Sequence, residues 1–156
     1  MPVKQAYSSL FIGIAFLAIS ACVTRALQQP VEGPYTLKVT ISGLHCCQGS
    51  LRLAVYNSDT AWMRDNAMVR GRIIIVQKDT ELIEIHGLAK GEYAIAVFQD
   101  INGNGKLDRW FWFLPREPYG FSNNGERFGP VSFARAAVLV PEVSELDIRM
   151  RTIGGR

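Results

Sequence analysis

The sequence predicts an all-β fold, a single sandwich of about seven short strands carrying one long functional loop. Three observations point there. Apolar and polar residues alternate in short runs separated by turn residues. Helical periodicity is nearly absent beyond the first twenty or so positions. The stretch from Asp100 to Pro130 breaks the alternation, is long for a connection, and is too aromatic for a disordered one. Two half-buried sheets cover each other, so a sandwich is the economical answer; a small closed barrel is the alternative.

The elements follow in chain order. Met1 to Ser9 carries one cation, Lys4, and Leu10 to Ile19 is an apolar run. That run is too short for a hydrocarbon core, which needs about 20 residues. Ile19-Ser20-Ala21-Cys22 follows at once and resembles the bacterial lipobox. The resemblance implies that residues 1–21 are a cleaved signal peptide and that Cys22 is lipidated and anchors the chain to a membrane. A plain secretory signal or a short membrane anchor is the competing reading. Val23 after the cysteine, in place of an aspartate, resembles outer-membrane sorting in a Gram-negative cell. The expected location is therefore the cell envelope, on the periplasmic face of the outer membrane. Residues 22–34 read as a tether, polar and punctuated by Pro30, Gly33 and Pro34.

The sandwich domain is expected over residues 35–151, with 152–156 as a flexible tail. Leu37, Val39 and Ile41 alternate with Lys38, Thr40 and Ser42, a half-buried strand. Leu51, Leu53 and Val55 alternate with Arg52, Ala54 and Tyr56 after a turn at Gln48-Gly49. Trp62, Met63 and Met68 sit in a break and could cover one end of the core. Arg72 to Gln77 reads as a strand buried on both faces or at a dense point, because Ile73-Ile74-Ile75-Val76 is continuous. Leu82 to Ile85 and Glu92 to Gln99 are two more strands, the second with Tyr93, Ile95 and Val97 inward. Val131 to Val140, partly helical at its start, and Glu145 to Arg151 with Leu146, Ile148 and Met150 inward, close the domain.

The formal charge is only +3 and the charges are interspersed, which argues against a nucleic-acid partner. With Cys22 lipidated, Cys46 and Cys47 are the remaining cysteines. They are adjacent, so they cannot supply the spaced pair of a zinc knuckle, and a disulfide between them would be strained. His45 beside them opens soft-metal or redox chemistry; a plain turn tip is the simpler reading.

Two segments of the long loop carry chemistry. Asp100, Asn102, Asn104, the Lys106 carbonyl and Asp108 fall at positions 1, 3, 5, 7 and 9 of a calcium loop, with Gly105 at position 6. Position 12 is Phe111 and not the bidentate glutamate, so Glu117 or Glu126 would have to complete the set. A hairpin turn explains the Asn-Gly pairs equally directly. Beyond it, Trp110, Trp112, Tyr119, Phe121 and Phe128 stand among Asn123, Asn124 and Arg127. Flat rings with amide and guanidinium donors suit an envelope glycan or a protein partner. The competing reading folds most of the rings into a satellite core, with Asn123 and Asn124 satisfying loop backbone.

Catalysis has little support, and no catalytic residue is assigned. His45 and His86 lie at strand ends, with no serine or cysteine in a recognised nucleophile setting. The alternative function is an envelope hydrolase or isomerase pairing one of them with a loop carboxylate, and a purely structural spacer is a third.

Gly43-Leu44, Leu51 to Asn57, Gly91 to Asp108, Tyr119 to Asn124 and Arg127 to Phe133 together resemble the bacterial domain of unknown function 2141. The Tyr-Gly-Phe-Ser-Asn-Asn element is the specific part of the resemblance. The strand running into Asp-x-Asn-x-Asn-Gly recurs in immunoglobulin-like and transthyretin-like modules, and the resemblance implies such a sandwich in a secreted or envelope-bound protein. It implies no activity. Ala134-Arg135 and the run Trp110 to Phe113 depart from the family pattern.

Overall fold

The computed structural model describes residues 32–64, 66–110, 114–125 and 131–153. Residues 1–21, expected to be a signal peptide, and Cys22, Trp112, Glu126, Arg127 and Phe128 lie outside the described residues. The strands are β1 (Tyr35–Ser42), β2 (Ser50–Tyr56), β3 (Arg70–Ile75), β4 (Thr80–Leu88), β5 (Gly91–Asp100), β6 (Arg109–Trp110), β7 (Leu114–Pro115) and β8 (Tyr119–Phe121). A 3-10 turn (Ser122–Asn124) and the short helix α1 (Phe133–Ala136) follow, then β9 (Val138–Val140) and β10 (Glu145–Arg149).

Two sheets result. One runs β10-β1-β4, with β10 parallel and β4 antiparallel to β1. The other runs β3-β2-β5-β8, all antiparallel, and β9 pairs the start of β5. The alternation in the sequence becomes the inner faces. Leu37, Val39, Ile41, Ile83, Ile85 and Ile148 are buried on one sheet, and Leu51, Leu53, Val55, Tyr93, Ile95 and Val97 on the other. Each such side chain contributes roughly 1.5–3 kcal/mol when fully removed from water. This is the sandwich that the patterning predicts, and the described residues form no closed barrel.

A second apolar cluster lies on the outside of the larger sheet. Tyr56 and Ala94 point outward there and are covered by Ala61, Val131, Phe133 and Ala136. Trp62 packs edge-on against Tyr56 and Phe133, and its indole N–H donates to the Val131 carbonyl at 2.6 Å. The Trp62 segment therefore covers the sheet's outer face and not the end of the inner core.

Two expectations need correction. The run Arg72 to Gln77 is not buried on both faces: β3 pairs only with β2 at the sheet edge, and Ile73 and Ile75 are 63% and 67% exposed. Only Ile74 and Val76 turn toward the core. A continuous apolar run cannot reveal that no further strand covers it. The stretch after Asp100 is also more regular than predicted. Tyr119 to Phe121 adds to β5 as an edge strand, and β6 and β7 form a small hairpin. Gly120 makes the first possible, because a Cβ there would meet Ile148 Cγ2 at 2.8 Å.

Candidate functional site

The site begins at the last residues of β5. Asp100 is fully buried, and one carboxylate oxygen accepts from Arg52 Nε at 2.8 Å and from the Gly105 N–H at 2.9 Å. The other accepts from the Asn104 N–H at 3.1 Å. Burial alone would push this carboxyl up; the Gly105 N–H and the Arg52 guanidinium outweigh it and hold it below the usual carboxylate range.

The rest of the loop closes on itself. Asn102 Oδ1 accepts from the Asn104 N–H and Asn104 Oδ1 from the Lys106 N–H, a succession of Asx turns. The amide nitrogens of Asn102 and Asn104 both donate to the Asp108 carboxylate, at 2.7 and 2.9 Å. Gly103 and Gly105 take positive φ, as the tight curve requires. Glu117, buried beneath, accepts from the Ile101 and Asp108 N–H groups. Three of the side chains read as a cation set, Asn102, Asn104 and Asp108, thus converge, while Asp100 is shared with Arg52 and Glu117 is spent on backbone. Among the described residues no three His, Cys, Asp or Glu side chains are grouped as a metal site.

This loop is one wall of a cleft of about 660 Å³ on the outer face of the larger sheet. Ala54, Ala96 and Phe98 form its floor. Gly105, Leu107, Arg109 and Pro115 wall one side; Met63, Met68, Gly71 and Ile73 wall the other; Tyr119 and Phe121 close an end. The volume falls within the roughly 300–1,000 Å³ of ordinary small-ligand sites. Among the described residues, the charged side chains lining it are Arg52, Arg72 and Arg109.

The aromatic residues predicted to bind divide by position. Tyr119 and Phe121 reach the cleft, their rings 5.8 Å apart. Trp110 stands on the β6–β7 hairpin outside the lining, 56% exposed, with Arg116 over its ring at 5.1 Å. Asn123 donates to the Arg135 and Ala137 carbonyls, and Asn124 bridges the Asp147 carbonyl and the Arg149 N–H. Both amides tie the loop to neighbouring backbone. Trp112, Arg127 and Phe128 lie outside the described residues.

Sequence reasoning passed over the cleft floor, though a signal was present. The outward positions of β2 and β5 are Arg52, Ala54 and Tyr56, and Ala94, Ala96 and Phe98. A solvent face should be polar; small and aromatic residues there mark a face that something covers or occupies. The histidines stand elsewhere. His86 lies on the exposed face of the smaller sheet, 3.4 Å from Glu84 and 3.0 Å from Thr36. His45 sits exposed on the β1–β2 turn. Neither lines the cleft.

Residues 39–148 match the model of a family described as uncharacterized protein conserved in bacteria (DUF2141). No curated protein and no solved structure matches the chain. No helix among the described residues is long and apolar enough to cross a membrane.

Proposed function

The chain belongs to this uncharacterised bacterial family, and from its geometry we propose a non-catalytic binding module, held at the cell envelope by lipid on Cys22, that takes an amphiphilic anion into the cleft outside the larger sheet. One observation carries the reading: an apolar cleft whose charged lining, among the described residues, is Arg52, Arg72 and Arg109. Apolar floor and walls suit an acyl or aromatic body, and guanidinium groups suit a carboxylate, sulfonate or phosphate at its end. Arg52 is committed to Asp100, so Arg72 and Arg109 are the groups assigned to the ligand. The Ile19-Ser20-Ala21-Cys22 sequence is the support for the anchor.

Calcium belongs to this reading as an ordering ion for the cleft wall, held by Asp100, Asn102, Asn104, the Lys106 carbonyl and Asp108. Convergence of Asn102 and Asn104 on Asp108 supports it. The amide oxygens now accept from the Asn104 and Lys106 N–H groups, so an ion bound by them would replace those two bonds. Hydrolysis through a histidine and a loop carboxylate finds no comparable support, since both histidines lie away from the cleft.

The binding test uses dodecanoate, with the uncharged detergent dodecyl maltoside as comparison, by calorimetry below the critical micelle concentrations. Dodecanoate should bind, Ala96→Trp should block it by filling the floor, and Arg109→Gln should weaken it about tenfold, the equivalent of 1.4 kcal/mol. Binding untouched by Ala96→Trp would place the ligand elsewhere. Equal affinity for both detergents would remove the anionic requirement.

A further inference from the structure

The β1–β2 turn carries two thiols that the binding reading leaves unused. Cys46 and Cys47 are both exposed, and their sulfur atoms lie side by side, 2.6 Å apart. Both face the same acceptor, the Gln77 carbonyl, at 3.4 and 3.7 Å. Cys47 holds a left-handed backbone conformation, φ 64°, unusual for a residue with a Cβ. The turn that imposes this is tied to the larger sheet on both sides of the cysteines. Fully buried Gln99 accepts from the His45 N–H and donates to the His45 and Gln48 carbonyls, at 2.7–2.8 Å. Leu44 plugs into the core, and Gly49 rests against the Asp100 carbonyl, where a Cβ would not fit.

We propose that Cys46 and Cys47 form a reversible redox site, closing to a vicinal disulfide by exchange with an external disulfide, and opening again with a thiol. Cys47 as thiolate attacks one sulfur of the incoming disulfide, forming a mixed disulfide and releasing one thiolate. Cys46, once deprotonated, attacks the Cys47 sulfur, closes the ring and releases the second thiolate. The two protons leave the protein thiols and the two electrons reduce the external disulfide to two thiols, so the exchange balances. Cys46 suits the second step. Its contact with Cys47 pushes its pKa up, with smaller contributions from the negative charges of Asp79 and Glu81, so it stays protonated until a neighbouring sulfur is ready to be attacked. Adjacent Cα atoms are about 3.8 Å apart, below the usual 4.4–6.8 Å span of a disulfide, so the ring is strained. Strained and exposed disulfides are the readily reduced ones, which fits a reversible site and not a structural staple.

The test treats the full chain with oxidised glutathione and reads the tryptic peptide Val39–Arg52, which holds both cysteines and no other. Loss of two hydrogens on that peptide, reversed by millimolar reduced glutathione, is the expected result. Cys46→Ser should instead stop at the mixed disulfide and keep one glutathione on Cys47. Stable single or double glutathione adducts on the wild-type peptide would overturn the proposal, as would disulfide-linked dimers or no reaction. None of these outcomes depends on whether the cleft binds an anion.

Discussion

At the residue scale, Asp100 joins the sheet to the loop. Its carboxyl is held lower in the folded chain than in the unfolded one, after the cost of burial is outweighed by the Gly105 N–H and Arg52. The stabilisation is therefore complete above the unfolded value of about 3.9 and disappears as pH falls through the lower folded value. Asp100→Asn keeps the shape and removes the charge. It should cost about 2 kcal/mol at pH 7, since Arg52 and two N–H groups lose a charged acceptor. Urea unfolding at pH 7, 5, 4 and 3 should show the wild type losing stability toward acid while the variant's curve runs flatter; parallel curves would mean that Asp100 is not the group responsible. The sequence displayed Asp100 plainly through its spacing to Asn102 and Asn104. It concealed the partner, because Arg52 is distant along the chain and reaches Asp100 only through the β2–β5 register, in which Arg52 stands opposite Phe98. Gln99 was concealed for the same reason: nothing about a glutamine at a strand end announces a buried clamp.

At the element scale, strands with a clean period of two were legible, and the elements misread were those set by their neighbours. β3 is apolar enough to be central yet lies at an edge; β8 contains two aromatic residues and a glycine, too short to show alternation, and is a strand because β5 offers it an edge. The cation loop was legible as a spacing and not as a geometry. Its wall position beside the cleft depends on Glu117 holding the Ile101 and Asp108 N–H groups together. If the loop takes calcium, the ion competes with Arg52 for Asp100, so affinity should be modest. Thermal unfolding in chelator and then in millimolar calcium measures this. The expected rise is several degrees, about what 2.7 kcal/mol gives a domain of this size when the ion is at 100 times its dissociation constant. Asp108→Ala should abolish it, because both Asn amides converge there. An unchanged midpoint would leave the loop as a turn closed by its own hydrogen bonds and would not touch the cleft.

At the scale of the whole molecule, the two outer faces differ in kind. The smaller sheet presents Lys38, Glu84, His86 and Glu145 outward, a mixed solvated surface with exposed ion pairs that stabilise little. The larger sheet presents alanines and aromatics, partly roofed by the Trp62 segment and α1 and otherwise open as the cleft. A domain that keeps one face apolar and open gains from being held where amphiphiles are plentiful, since local concentration then substitutes for affinity. That is the physical case for the proposed anchor on Cys22, where acyl chains would each add about 0.8 kcal/mol per buried methylene. Expressed in a Gram-negative host, the chain should incorporate labelled palmitate and sediment with membranes, and Cys22→Ala should lose the label. Retention of the label by Cys22→Ala would exclude Cys22 as the attachment point. An unlabelled wild-type chain whose mature N-terminus maps elsewhere would make Leu10 to Ile19 an ordinary secretory signal, and the cleft would then have to find its ligand from solution, at the full affinity that the arginine contacts supply.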